Sequence, residues 1–251
     1  MGKEITEVFW SPAPFISQEE SWNLLYPEPY LLKHKLQISR TNFKGSFFIC
    51  PSTRNHLKNL FVLSSAINDE IDLPIEYLKR TNMHQATEIV PSKKKQIVAL
   101  KRQRPSSLEG YSNLLYNLSW LFFCAEPLTV TLTAPYLPAA SPSTGAILAS
   151  GTFDIGEWFR PINLDYHVPL ENNYFSVIQG QELAYVNFNS NKQIKLKRFV
   201  LNETLYHLST EMSESSLRYN PFQSLTERYE MAKKSKIKDI ILKEVKNNVV
   251  E

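Results

Sequence analysis

The chain has 251 residues and a formal net charge of +3 at pH 7, with 43% hydrophobic and 21% charged residues. This composition is that of an ordinary globular protein and excludes wholesale disorder, and the small net charge does not by itself indicate nucleic-acid binding. No apolar run approaches the roughly 20 residues that a membrane-spanning helix needs. The length suits one β-rich domain.

The N-terminal region, residues 1–30, is rich in Trp and Pro and predicts an extended arm with a short helical turn near residues 18–25. Its aromatic side chains carry too much apolar surface for a free tail, so they pack either on the protein's own core or on a partner. The residues assigned to a partner contact are Trp10, Phe15, Trp22 and Tyr26.

Residues 31–200 predict a β body, because the fifteen prolines that break helices favour short strands. The strand from 128 to 137 alternates clearly, with Val130 and Leu132 on one face and threonines on the other. The apolar run 112–126 predicts a buried pair of strands. The other predicted strands lie at 45–52, 59–74 (two strands and a turn), 96–100, 159–168, 174–188 (a strand pair) and 192–199. We therefore expect a mainly β protein, a sandwich or barrel of the jelly-roll kind.

The C-terminal region, residues 201–251, predicts helices. Residues 201–209 form a short predicted helix with Asn202 as its N-cap. From about Leu225 onward, apolar residues recur at helical spacing between Lys and Glu, which predicts one amphipathic helix of about 20 residues. The arm and this helix are the expected attachment surfaces of the protein.

The two cysteines, Cys50 and Cys124, are expected to be reduced, buried thiols, with a single disulfide between them as the alternative. The first ten residues carry acidic side chains and no apolar stretch, so they do not form a secretory signal. Both observations favour synthesis in the cytoplasm.

Motifs for common cofactors are absent from the sequence. It holds no GxGxxG, no GKS or GKT, and no Gly-x-Ser-x-Gly elbow, and a chain with seven glycines offers few places for a phosphate loop. We therefore expect no cofactor. For a metal ion, Asp165 and His167 fall on one face of a predicted strand and could supply two ligands to iron, as in oxygenases, or could form an ordinary surface ion pair.

A basic segment, 93–104, contains six positive charges and no acid. It could seat a phosphate backbone, an acidic protein or another polyanion, or it could be a solvated loop that protects an edge strand. No aromatic residue is interleaved for base stacking, which weakens the nucleic-acid interpretation. The residues assigned to anion binding are Lys93, Lys94, Lys95, Lys101, Arg102 and Arg104.

The segment 141–188 contains a Pro-Ser-Thr-Gly turn at 142–145, then Gly-x-x-Asp ending at Asp154, then a strand pair around a Gly turn. This order resembles the distal half of the dUTPase and dCTP-deaminase barrel. The resemblance implies a nucleotide-hydrolysing enzyme in which Asp154 activates water, with Glu157 and Arg160 as further candidate catalytic residues. Glu157 (or Trp158 after one insertion) stands where that family has Tyr, the turn lacks its Arg, and the Gly-rich C-terminal lid is missing.

Several stretches, among them CPSTRNHLKNLFVL and FDIGEWFRPI, resemble an uncharacterised protein family of tailed viruses of marine bacteria. The leading hypothesis is a non-enzymatic viral structural or interaction protein. It would act through contact with a protein partner or through self-association, in the cytoplasm of an infected bacterium or in the virion. The nucleotide hydrolase and the iron-dependent oxygenase are the alternatives.

Overall fold

The structure is a computed structural model of the chain. It describes residues 4–13, 26–34, 50–66, 68–72, 87–89, 101–105, 108–136, 145–172, 174–213, 225–234 and 236–250. The fold of these residues is mainly β, as the sequence predicts. The strands are β1 (Ile5–Pro12), β2 (Tyr30–Leu31), β3 (Leu60–Ser64), β4 (Asp69–Asp72), β5 (Thr87–Ile89), β6 (Lys101–Pro105), β7 (Tyr111–Cys124), β8 (Thr129–Thr133), β9 (Ile147–Leu148), β10 (Gly151–Asp154), β11 (Pro161–Pro169), β12 (Tyr174–Val177), β13 (Glu182–Phe188) and β14 (Gln193–Arg198). The helices are α1 (Pro51–His56), α2 (Glu203–Ser213), α3 (Leu225–Lys234) and α4 (Ile237–Asn247).

The first sheet has the strand order β14-β1-β7-β11-β9, and β6 and β5 extend it beside β7. Its centre is β7, a strand of 14 residues. β11 runs antiparallel along one edge of β7, while β1 and β6 share the other edge, β1 at residues 120–124 and β6 at residues 112–116. β1 and β14 are the one parallel pair among the strands that the structure describes.

The second sheet has the order β10-β8-β13-β3-β2 and packs face to face on the first. Ring centroids of Phe122 in β7 and Phe188 in β13 lie 5.5 Å apart, and the Tyr166 hydroxyl of β11 donates to the Leu183 carbonyl of β13 at 3.0 Å. A separate pair, β12 with β4, completes the β structure described. The strand orders are open, so the architecture is a sandwich rather than a closed barrel.

The helices α2 and α4 cover the outer face of the first sheet. Phe9 of β1 and Phe123 of β7 point outward and pack against Leu205 of α2 and against Ile241 and Val245 of α4. The middle of this sheet is therefore buried on both faces, and its strands read as continuous apolar runs. This is why the predicted strand pair at 112–126 is wrong: the run forms the single strand β7.

The predicted extended arm at the N-terminus is also corrected by the structure. Residues 5–12 form β1, which lies between β14 and β7 inside the sheet. Trp10 is 0% and Tyr26 3% exposed, so both pack in the protein's own core, and their assignment to a partner contact is wrong. Phe15, Trp22 and the helical turn predicted at 18–25 lie outside the described residues.

The predicted ends of several elements also change. Of the strand predicted at 45–52, residues 45–49 lie outside the described residues, and Pro51 begins α1, where its missing N–H costs nothing in the first helical turn. The single C-terminal helix is instead two helices, α3 and α4. Both cysteines are free, as expected, but only Cys124 is buried, and Cys50 is exposed. The strand predicted at 96–100 lies outside the described residues.

Other local predictions are confirmed. The Asn202 Oδ1 accepts the Leu205 N–H at 2.9 Å, as an N-cap of α2 should. Val130 and Leu132 face the core between half-exposed threonines. In β14, Ile194 is buried while its neighbours on either side are exposed. Of the helices in the described ranges, none is long and apolar enough to cross a membrane.

Candidate functional site: the arginine pocket

A pocket of about 220 Å³ opens where the turn between β10 and β11 meets α3. The turn lies at the edge of the sandwich, because β10 is the outer strand of the second sheet and β11 belongs to the first. We call this site the arginine pocket. It is lined by Thr152, Phe153, Asp154, Ile155, Trp158, Arg160, Ile162 and Tyr229.

The turn that forms the pocket depends on Asp154 and Gly156. The Asp154 Oδ1 accepts hydrogen bonds from the backbone N–H groups of Gly156 and Glu157, each at 3.1 Å, which is an Asx-type turn. Gly156 lies against the backbone of Glu126–Leu128, and a Cβ at this position would be 2.4 Å from the Glu126 carbonyl oxygen. The sequence Gly-x-x-Asp-x-Gly thus forms a tight turn that takes the chain from one sheet to the other.

The second carboxylate oxygen of Asp154, Oδ2, accepts a hydrogen bond from the Tyr229 hydroxyl of α3. Burial and the adjacent Asp154 charge raise the pKa of Tyr229, so the hydroxyl keeps its proton and remains a donor. With Gly156 and Glu157 on Oδ1, the carboxylate accepts three hydrogen bonds, out of about four that it can accept. Asp154 therefore joins the turn to α3.

The neighbouring carboxylate of Glu157 is also paired. Its Oε1 lies 3.1 Å from the Lys238 Nζ of α4, and the two side chains are only 18% and 25% exposed. This ion pair attaches the turn to the second helix of the C-terminal pair. Glu157 does not line the pocket.

Arg160 is differently placed. Its guanidinium lies 5.0 Å from the centroid of the Trp158 ring, a cation–π contact. Partial burial lowers the pKa of Arg160, and the charge of Asp165 opposes this, but an arginine remains protonated at neutral pH. Its Nε is buried and has no hydrogen-bond partner within the described part of the chain.

The walls around Arg160 are held by contacts to two helices. The Trp158 Nε1 donates to the Met212 carbonyl of α2 at 3.2 Å, and the Trp158 and Tyr229 ring centroids lie 4.9 Å apart. Phe159, in the turn, and Ile162, in β11, are buried. The pocket therefore has an aromatic and aliphatic wall with one cation set into it.

Two of the three predicted catalytic residues line the pocket. Asp154 and Arg160 lie in one pocket, and Glu157 lies in the same turn but faces Lys238. Tyr229 was not identified as a site residue. The helical periodicity of its segment places it on a helix, but a contact with Asp154 across 75 positions of chain leaves no local signal.

The proposed metal ligands Asp165 and His167 do lie on one face of β11, both partly exposed. Nowhere in the described ranges do three or more His, Cys, Asp or Glu side chains come together so that they could hold a metal ion. The part of the chain that the structure describes thus supplies no third ligand for this pair.

The predicted anion-binding residues fall partly within the structure. Lys101, Arg102 and Arg104 belong to β6, which pairs with β7 on one side and with β5 on the other. The strand register places Arg102 opposite Glu88. Lys93, Lys94 and Lys95 lie outside the described residues, so the predicted cluster is not seen as a whole.

Comparison with known proteins adds no further information. No protein-family model matches the chain, and no curated protein or solved structure matches it either.

Proposed function

We propose that this protein acts by non-covalent contact rather than by catalysis, and that the arginine pocket is its contact site. One observation carries the proposal. The two carboxylates of the turn, Asp154 and Glu157, are engaged by the protein's own donors, whereas the buried Nε of Arg160 meets no acceptor among the described residues.

The pocket's electrostatics weigh against the nucleotide-hydrolase alternative. Such an enzyme needs a carboxylate that is available to activate water, and cations or Mg²⁺ to bind several phosphates. Asp154 has about one acceptor position left. Of the described residues that line the pocket, Arg160 is the one cation, which is little charge to set against a triphosphate.

The residue types in the pocket favour recognition. Arg, Trp and Tyr are the residues that most often dominate the binding energy of protein interfaces, where they form partly buried clusters. Arg160, Trp158 and Tyr229 form such a cluster: all three are half-buried, and the Trp158 ring contacts both of the others. A partner that offers an anionic group next to an apolar one would complement it.

The biological setting is proposed from the sequence resemblance alone. On that basis, we propose that the protein belongs to a tailed bacterial virus and that its contact has a structural or host-interaction role. The protein would act in the cytoplasm of the infected bacterium or in the virion.

The test is a turnover assay on purified wild-type protein. Deoxynucleoside and ribonucleoside triphosphates, with and without Mg²⁺ or Mn²⁺, are incubated with the protein, and released pyrophosphate and phosphate are measured. The contact proposal expects no turnover above that of an Asp154→Asn control. If wild type hydrolyses a nucleotide and Asp154→Asn, folded to the same thermal midpoint, does not, the proposal is wrong and Asp154 is catalytic.

A further inference from the structure

We propose that the arginine pocket binds a carboxylate carried on a flat apolar group, such as an aryl or indolyl carboxylate. This ligand could arrive as a free small molecule or as the C-terminal aromatic residue of another chain. The inference rests on the proposed function, and it names the chemistry that the contact recognises.

The first step concerns the donor. An arginine presents its Nε–H and one Nη–H side by side, and this edge matches the two oxygens of a carboxylate. The buried Nε–H of Arg160 meets no acceptor within the described chain. Solvent does not reach this Nε, so an oxyanion in the pocket pairs with it only when the Arg160 side chain turns toward the ligand. The gain in affinity is then the removal of a buried, unpaired donor, which is unfavourable.

The second step concerns charge. Asp154 lines the same pocket, and the charge of Asp165 also acts on Arg160. One cation near two carboxylates gives a site that favours a single negative charge over two, because a phosphate dianion is repelled more strongly by the flanking acids. Among anions, this favours a carboxylate over a phosphate dianion and separates the ligand from a nucleotide. The preference for a carboxylate over its neutral amide comes instead from charge-assisted hydrogen bonds to the guanidinium.

The third step concerns size and surface. An apolar cavity of about 150 Å³ holds benzene, so a pocket of about 220 Å³ has room for a ring and its carboxylate. Phe153, Ile155, Ile162 and Trp158 give the walls an apolar surface. Binding sites of this kind combine an apolar lining with a few placed polar groups that fix orientation.

The experiment measures binding of defined probes by isothermal titration calorimetry. The probes are indole-3-acetate, its neutral amide, plain acetate, and phenyl phosphate at a pH where it is a dianion. A second arm uses N-acetyl-Gly-Trp with a free C-terminus and the same dipeptide amidated. The inference expects indole-3-acetate or the free dipeptide to bind about tenfold or more tightly than its amide, acetate or phenyl phosphate. Tighter binding of indole-3-acetate indicates a free small molecule as the ligand, and tighter binding of the free dipeptide indicates the C-terminal residue of another chain.

Variants assign the binding to the pocket. Arg160→Gln should weaken the carboxylate by about tenfold or more. Arg198→Gln is the matched control, because Arg198 also stacks on a tryptophan, 5.3 Å from the Trp10 ring centroid, and does not line the pocket. It should leave affinity unchanged. If Arg160→Gln does not fold, Arg160→Lys keeps the charge, loses the paired N–H edge, and should still weaken binding.

An NMR readout checks location independently. The chain has four tryptophans, and Trp158→Phe assigns the indole signal of Trp158. The inference expects this signal to shift most on titration. Equal binding of acid and amide, full affinity in Arg160→Gln, or failure of every carboxylate to bind would overturn it. If no probe binds and no nucleotide is hydrolysed, only this inference falls. Nucleotide turnover that depends on Asp154 would overturn the proposed function itself.

Discussion

Replacing Asp154 by alanine should destabilise the protein, because this carboxylate holds the β10–β11 turn and α3 together. Asp154→Ala removes acceptors from two backbone N–H groups and from the Tyr229 hydroxyl. Asp154→Asn keeps a side-chain oxygen for the turn and an amide that can still face the hydroxyl. The alanine variant therefore reports the structural role, and the asparagine variant preserves most of it.

The magnitude follows from the three bonds. Loss of a side-chain cap for orphan backbone N–H groups costs about 0.5–2 kcal/mol. Loss of a hydrogen bond to a charged group costs about 1.5–3 kcal/mol, reduced here because the site is partly exposed. We expect about 2–3 kcal/mol for Asp154→Ala, less than about 1 kcal/mol for Asp154→Asn, and about 1 kcal/mol for Tyr229→Phe. For a chain of this length, 2–3 kcal/mol is a fall in Tm of about 4–12 °C.

The assay is urea denaturation followed by far-UV circular dichroism, with the midpoint and slope compared across the variants. The double variant Asp154→Ala with Tyr229→Phe should lose less than the sum of the single variants, because the two residues share one interaction. An Asp154→Ala protein that is as stable as wild type within 0.5 kcal/mol would refute the reasoning. The carboxylate would then be free for chemistry.

Three further predictions concern other parts of the fold. Gly156→Ala should cost about 1–3 kcal/mol or more in urea denaturation, because its Cβ would overlap the Glu126 carbonyl, which is backbone and cannot rotate away; unchanged stability would contradict this close approach. Asn202→Ala should cost about 1–2 kcal/mol through the lost cap of α2, whereas Asn202→Asp should retain most of it. Cys50 should react with a thiol reagent in the native state and at a lower pH than an ordinary thiol, because backbone hydrogen bonds lower its pKa, while Cys124, whose pKa burial raises, should react only after denaturation; equal rates would count against the two environments.

Several strands of the β body were predictable because one face of the strand is at least partly exposed to solvent. In β8 and β14, buried residues such as Val130 and Ile194 alternate with half-exposed or exposed ones, and this period of two is visible in the sequence. The cap at Asn202 was predictable for a similar reason, since its hydrogen bond joins residues three positions apart. In both cases the determining interaction is short in sequence or regular in period.

Prediction failed where burial on both faces removes the period. β1 and the second half of β7 lie between the sandwich core and the helices, so apolar residues follow one another without alternation. The run 112–126 then looks like two strands, and Trp10 looks like apolar surface that needs a partner. The partner of Trp10 is the protein's own sandwich core, which forms from segments far apart in the chain.

The candidate site shows that the Gly-x-x-Asp motif also meets the structural needs of a turn. A Gly-x-x-Asp followed by glycine is what a tight turn between two sheets needs, because the Asp side chain accepts the N–H groups that the turn exposes and the glycine allows close backbone approach. The same letters occur where a carboxylate activates water. The difference lies in what else the carboxylate meets. Here it meets Tyr229, 75 residues away, so that with the two backbone N–H groups the carboxylate keeps about one acceptor position, while the Nε of Arg160 meets no acceptor among the described residues.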